Sequence, residues 1–211
     1  MSININVYCY PVHNAGRMMK VSKKQAQANR AHIVETASAL FREHGYDGVG
    51  IADLMATAGF TQGGFYKHFQ SKAVLMAESS ACGIERSADL IAGASANGFV
   101  NVYLSREHRD NRATGCTLAA LCSDAARKED EIRSVFSAGI ETQLDVLCRS
   151  SASSTLPSGD DRARHLAIMA QALGAIVMSR ACPDDSPLAD EILAVCRDSI
   201  LKSLTPSAPR Y

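Results

Sequence analysis

The sequence has seven cysteines but no pair of them in the C-x-x-C spacing. That absence argues against the common zinc and thioredoxin-like sites. The odd count, the irregular spacing and a chain of 211 residues that is 46% hydrophobic also argue against a disulfide framework. We therefore expect reduced thiols and no metal site.

Two further absences narrow the class of protein. No apolar run is long enough to span a membrane, and the first residues lack the cationic start and apolar block of a secretory signal. The motifs G-x-S-x-G, H-E-x-x-H and the phosphate loop are also missing. The sequence therefore predicts a cytoplasmic protein without membrane association, which is not an enzyme and needs no cofactor.

The formal net charge is zero, but the charge is unevenly distributed. Residues 17–72 contain eight Lys or Arg and four Asp or Glu, whereas residues 73–211 contain fourteen and eighteen. A basic front and an acidic rear suit a protein whose N-terminal part meets an anion.

Apolar residues recur at helical spacing through most of the chain, and no segment alternates as a strand would. We therefore predict an all-α fold. In the N-terminal part, we predict a first helix that ends at Gly45, a second over 51–58 that ends before Gly59, and a third that starts at Thr61. A fourth helix is predicted from Ser71 to about Ile91, followed by a weaker one between Gly98 and Arg106. Four more are predicted over 116–127, 130–148, 162–181 and 187–204. Polar loops are predicted over 105–115 and 150–161.

The segment TQGGFYKHFQSK (61–72) directly follows a short helix and a Gly-containing turn. Two short helices joined in this way describe a helix-turn-helix, whose second helix can enter the DNA major groove. Phe65 and Phe69, four residues apart, are expected to face inward. Thr61 is the candidate for the helix N-terminus at a phosphate, and Gln62 is the candidate for contact with a base edge. Gly63 and Gly64 would allow the helix backbone to come close to the bases. The candidates for contact with the sugar–phosphate backbone are Tyr66, Lys67, His68 and Lys72, together with Lys23 and Lys24 on the first helix.

The stretch from Lys20 to about Leu75 resembles the DNA-binding domain of the TetR family of transcriptional regulators. The most specific match is the spacing Phe65-Tyr66-x-His68-Phe69-x-x-Lys72. The resemblance implies that Gln62, Gly63 and Tyr66 lie at the DNA, with His68 and Lys72 on phosphates. This chain departs from the family pattern at Gly50, where Thr is frequent, and at Met55, where a small residue is common.

These observations divide the chain into four parts. Residues 1–18 are predicted to be a disordered extension, with translation starting at Met1 or at Met18/Met19. Residues 19–72 form the helix-turn-helix domain, residues 73–204 a helical ligand-binding and dimerisation domain, and residues 205–211 a loose tail.

Because one helix-turn-helix makes few contacts, we expect a homodimer that reads two half-sites of a palindromic operator in double-stranded DNA. Apolar stripes on the last two helices either pair with a second copy or pack within one subunit, and the resemblance favours a four-helix dimer interface. The candidate residues are Leu166, Met169, Leu173, Ile176, Val177, Leu188, Ile192, Val195 and Ile200.

The middle helices would then enclose a pocket for a small-molecule effector that releases DNA. The candidate lining residues, equally suited to a plain core, are Phe99, Tyr103, Leu118, Leu121, Phe136 and Ile140. The resemblance favours a repressor over an activator.

Three alternatives remain open at this point. Cys116 or Cys122 could act as the thiol of an oxidant- or electrophile-sensing regulator, with Arg112 nearby in sequence. The segment at 61–72 could dock a protein partner instead of DNA. A small helical enzyme would require catalytic side chains that a single sequence does not show converging.

Overall fold

The computed structural model describes residues 22–92, 94–151 and 159–204. The predicted extension, the predicted tail and the middle of the predicted loop 150–161 lie outside these ranges. The helices are α1 Lys23–His44, α2 Ile51–Thr57, a 3₁₀ helix Gln62–Lys67, α3 Lys72–Ala92, α4 Ala96–Tyr103, α5 Arg106–Asp110, α6 Thr117–Ala125, α7 Asp130–Ser151, α8 Gly159–Ala181 and α9 Pro187–Leu204. The described residues contain no strand, which confirms the all-α prediction.

Helix α1 ends where the sequence predicts. The side chain of Ser22 accepts a hydrogen bond from the Gln25 N–H and caps the first turn. At the other end Gly45 has φ 74°, in the left-handed region that glycine adopts without a side-chain clash, and its N–H donates to the Phe41 carbonyl.

The turn after α2 is a Schellman motif centred on Gly59. Gly59 has φ 79°, its N–H donates to the Ala56 carbonyl at 3.0 Å, and the Phe60 N–H donates to the Met55 carbonyl at 2.8 Å. This turn redirects the chain from α2 into the next helix, so the predicted helix-turn-helix is present.

Two local predictions need correction. The third element is a 3₁₀ helix, with the Gly64 N–H bonded to the Thr61 carbonyl three residues back, because two adjacent glycines weaken an α-helix in so short a segment. The segment predicted as a polar loop over 105–115 contains α5. Helix α5 lacks apolar periodicity and is capped by the Ser105 side chain, which accepts from the His108 N–H at 3.1 Å.

The largest hydrophobic cluster crosses the predicted domain boundary at residue 72. Phe41 and Tyr46 from the front pack in the same cluster as Leu75, Leu118 and Leu121 from the rear. A second cluster joins α4, α8 and α9, and a third joins α7 to α8. The front is therefore held against the rear by a shared core. Among the described helices, none is both long and apolar enough to cross a membrane.

Candidate nucleic-acid interface and ligand cavity

The 3₁₀ helix is anchored by two phenylalanines and presents a tyrosine outward. Phe65 and Phe69 are buried, with ring centroids 5.5 Å apart. Tyr66 lies edge-on to Phe65 and is 69% exposed. A large aromatic side chain that is exposed to solvent and supported by buried residues is available for contact with a partner.

Polar groups and an open backbone surround Tyr66. Thr61, Gln62 and Lys67 are exposed. No heavy atom lies within 4 Å of the position that a Cβ at Gly63 would take, so the backbone there is open to an incoming surface. At Gly64 such a Cβ would lie 3.7 Å from the Met55 side chain, so this glycine faces α2. The open space that the predicted close approach needs is therefore present at Gly63 and smaller at Gly64.

The ring of His68 has protein neighbours that the sequence did not indicate. Its half-buried ring lies 6.4 Å from the Phe60 ring and 6.3 Å from the Phe69 ring, centroid to centroid. Its carbonyl accepts a hydrogen bond from Arg30 Nε at 3.3 Å. Arg30 also lies 4.6 Å from the Phe69 ring centroid and forms an ion pair with Glu78. His68 thus belongs to the packing that supports the 3₁₀ helix, and its imidazole is only partly accessible.

Lys72 has a structural partner that the sequence did not indicate. Its Nζ donates to the Tyr46 carbonyl at 2.6 Å and lies 5.8 Å from the Phe41 ring centroid. Partial burial lowers the pKa of this ammonium, opposed by the nearby Asp47 carboxylate. One of its three N–H groups is therefore already engaged, which leaves the others for a phosphate. Lys23 and Lys24, by contrast, are exposed in the first turn of α1.

A cavity of about 500 Å³ lies between α3, α4, α7 and α8. Its volume falls within the range usual for small-molecule sites. Phe99 and Tyr103 line it, as predicted. The other lining residues are Ser87, Leu90, Ile91, Ala94, Ala96, Gly98, Val100, Val102, Leu104, His108, Thr114, Gly115, Cys116, Gln143, Leu147, His165, Ile168, Met169, Ala172, Leu173 and Leu204. No sequence signal distinguishes these residues from ordinary core positions.

Four of the predicted lining residues do not face the cavity. Leu118, Leu121 and Phe136 are buried in the largest hydrophobic cluster, and Ile140 packs at its edge. They fill the contact between α1, α3, α6 and α7, so the alternative that they are core residues is the one that the structure supports.

The predicted dimer residues separate into two groups. Leu166, Val177, Leu188 and Val195 are exposed large apolar side chains on α8 and α9, and Met178 joins them. Met169, Ile176 and Ile200 are buried within the chain, and Leu173 and Ile192 are half-buried against the same clusters. The sequence pattern did not distinguish the exposed from the buried group, because an apolar stripe has the same spacing whether it packs within the chain or faces solvent.

The two candidate sensor cysteines are not in a setting that activates a thiol. Burial, reinforced by Cys116, raises the pKa of Cys122 to about 11. Cys116 is itself buried, and its backbone N–H donates to His108 Nε2 at 3.2 Å. Reactive thiols have a lowered pKa and access to solvent, so the structure does not favour the thiol sensor.

Residues 33–78 match the family described as bacterial regulatory proteins, tetR family. Over 61 residues the chain is 34% identical to the HTH-type transcriptional regulator AcrR of Shigella flexneri, and over 59 residues it is 39% identical to the HTH-type transcriptional regulator TtgR of Pseudomonas putida. These matches cover 29% and 28% of this chain, and 28% of the length of each relative.

The fold extends the likeness over most of the chain. A TetR transcriptional regulator from Chloroflexus aurantiacus superposes with a TM-score of 0.68 at 21% identity, covering 86% of this chain and 96% of that one. The reduced form of Escherichia coli NemR gives 0.68 at 18% identity, covering 83% and 96%. The matched proteins are transcriptional regulators, and the likeness in fold confirms the predicted N-terminal helix-turn-helix domain followed by a helical rear domain.

Proposed function

We propose that this chain is a transcriptional regulator of the TetR family: a cytoplasmic repressor that binds a palindromic operator as a homodimer and releases it when a small molecule binds. The observation that carries the proposal is the exposure of Tyr66 on the 3₁₀ helix, with Gln62 and Lys67 beside it and buried Phe65 and Phe69 beneath. This arrangement can place a polar edge in the major groove without loss of packing.

Dimerisation is supported by the exposed apolar face of α8 and α9, defined by Leu166, Val177, Met178, Leu188 and Val195. Each of these side chains is about half exposed or more, and burying them against a second copy would remove apolar surface from water. A two-fold arrangement would present two 3₁₀ helices to two half-sites.

Effector release is supported by the position of the cavity. The segment 114–116 lines it, and Arg42 of α1 donates to the neighbouring Ala113 carbonyl. A ligand that prefers one arrangement of this segment would bias the placement of the DNA-binding domain.

The test of DNA binding is fluorescence anisotropy with DNA from just upstream of the gene, at two salt concentrations and with scrambled competitor DNA. We expect tight, competitor-resistant binding that a Tyr66→Ala, Lys67→Ala double variant loses. Arg133→Ala, at an exposed cation on α7, is the control and should bind as the unchanged protein does. Failure to bind any DNA, or binding that the double variant leaves intact, would contradict the proposal.

The test of dimerisation is sedimentation velocity. Val177→Asp with Val195→Asp should shift the protein from dimer to monomer, because four carboxylates would be buried without partners at the interface. Val102→Asp, a change at a more exposed valine on α4, should leave the dimer intact. A monomeric unchanged protein would overturn this part of the proposal.

A further inference from the structure

The cavity between α3, α4, α7 and α8 is lined without a permanently charged side chain, and its histidines are His108 and His165. Among its described lining residues there is no Asp, Glu, Lys or Arg. A charged ligand that moved from water into this cavity would find no opposite charge there, and its desolvation would cost a large free energy. The lining therefore selects against ions of either sign.

His108 does not supply a charge, because both of its ring nitrogens are engaged as in a neutral imidazole. Nδ1 lies 2.6 Å from the Tyr103 carbonyl, to which it donates, and Nε2 accepts the Cys116 N–H at 3.2 Å. Burial lowers the pKa of His108, with Arg180 acting in the same direction. Protonation of Nε2 would remove the lone pair that accepts the hydrogen bond from the Cys116 N–H.

Gln143, from α7, is a polar group of this cavity whose side chain the fold leaves incompletely satisfied. Its side chain is 4% exposed, and its Nε2 donates to the Ile84 carbonyl over a long 3.5 Å. None of the hydrogen bonds among the described residues reaches its Oε1, and no fully buried side-chain oxygen or nitrogen there lacks a partner, so Oε1 keeps accessible surface at the cavity. An amide oxygen with accessible surface at a cavity is an acceptor for a ligand's O–H or N–H.

We propose that this cavity binds an uncharged, largely apolar molecule that carries a hydrogen-bond donor, and that the donor meets Gln143 Oε1. The proposal rests on the proposed function in that the cavity is the effector site. Leu90 and Val102 line the cavity yet are 65% and 69% exposed, so they form an apolar mouth through which such a molecule enters.

The test compares dyes of one shape that differ in a single property. N-phenylnaphthylamine is neutral and has one N–H, anilinonaphthalenesulfonate adds an anionic group, and phenoxynaphthalene replaces the N–H by an ether oxygen. Fluorescence titration of the purified protein should show saturable binding of the neutral amine at one molecule per chain. The sulfonate should bind at least about tenfold more weakly, since its charge has no partner in the lining. Competition should show the ether to be weaker than the amine by roughly fivefold, the usual effect of one net hydrogen bond.

Variants assign these effects to the cavity. Gln143→Leu should bind the amine and the ether equally, while Gln171→Leu, a half-exposed glutamine on α8 outside the lining, should keep the preference for the amine. Val102→Lys at the mouth should strengthen sulfonate binding, and Asn101→Lys, an equally charged change outside the lining, should not. Both lysine changes are at exposed positions, so they keep the test valid if Gln143→Leu does not fold.

The proposal is overturned if the sulfonate binds as tightly as the amine, if the neutral dye does not bind, or if Gln143→Leu retains the preference for the amine. These titrations contain no DNA, so their outcome is independent of operator binding. Dye binding without operator binding would leave the ligand class standing and reject the repressor. Operator binding without dye binding would do the reverse.

Discussion

The guanidinium of Arg42, on α1, donates two hydrogen bonds to the backbone carbonyl of Ala113, from Nε at 2.8 Å and from Nη2 at 2.5 Å. Its Nη1 donates to Ser38 Oγ at 2.6 Å and lies 3.4 Å from Thr117 Oγ1. The side chain is buried, and that burial lowers its pKa, with Arg86 adding to the effect. In addition to the shared hydrophobic core, Arg42 thus links the helix-turn-helix part of the chain to the segment that borders the cavity.

Replacing Arg42 by Ala should lower the free energy of unfolding by about 2–4 kcal/mol, because the Ala113 carbonyl loses both donors and the long side chain leaves a gap. Urea unfolding measures the change. Arg133→Ala, which breaks an exposed ion pair with Asp130, is the control and should cost no more than about 0.5 kcal/mol. Equal effects of the two variants would show that the bridge contributes little.

Tyr46 should make stability fall at high pH. Its hydroxyl is buried and hydrogen-bonded to Ser80 at 2.6 Å, and burial raises its pKa from 10.0 to about 12. The folded state favours the neutral phenol, so this contribution is complete below pH 10 and is lost as the pH rises to about 12. The loss amounts to about 2–3 kcal/mol.

Urea unfolding at a series of pH values, with Tyr46→Phe beside the unchanged protein, isolates this effect. Cys122, whose pKa is also raised, contributes to both curves and cancels in the difference. The variant should lack the part of the decline that is due to Tyr46. Parallel curves between pH 10 and 12 would be inconsistent with a buried phenol that remains protonated.

Gly63 and Gly59 should respond differently to replacement by Ala. A Cβ at Gly63 meets no heavy atom of another part of the chain within 4 Å, so the free energy of unfolding of Gly63→Ala should equal that of the unchanged protein or exceed it by up to about 1 kcal/mol. The same variant should bind operator DNA more weakly, because the methyl group blocks close approach of the DNA. Gly59 has φ 79°, and Gly59→Ala should cost about 1–2 kcal/mol of stability. Unchanged operator affinity in Gly63→Ala would mean that DNA does not approach this backbone.

Replacing Lys67 should weaken DNA binding alone, whereas replacing Lys72 should also lower the free energy of unfolding. Lys67 is exposed, and Lys67→Ala should reduce the slope of log affinity against log salt by about 1, with the free energy of unfolding changed by no more than about 0.5 kcal/mol. Lys72→Ala also removes the donor to the Tyr46 carbonyl and should cost about 1 kcal/mol of stability. Anisotropy at several salt concentrations and urea unfolding measure the two effects, and a stability loss in Lys67→Ala would refute the distinction.

The sequence by itself determined the all-α fold, the C-terminal ends of α1 and α2 and the place of the helix-turn-helix. These features depend on local properties: the spacing of apolar residues, the cap at Ser71, and glycines that adopt positive φ. It also identified Tyr66 as exposed and Phe65 and Phe69 as its support, because neighbours on one short helix fix these directions.

Only the tertiary structure decided which apolar residues enclose space and which fill it. Phe99 and Phe136 are alike in sequence, yet one lines the cavity and the other is buried in the core, because this depends on which helices meet. The same holds for Lys72, whose partner is the carbonyl of Tyr46, 26 residues earlier, and for the engagement of His68 with Phe60. Helix α5 follows the same rule, since Arg109 ties it to the Ser179 carbonyl of α8 at 3.1 Å, a contact that periodicity along the chain does not encode.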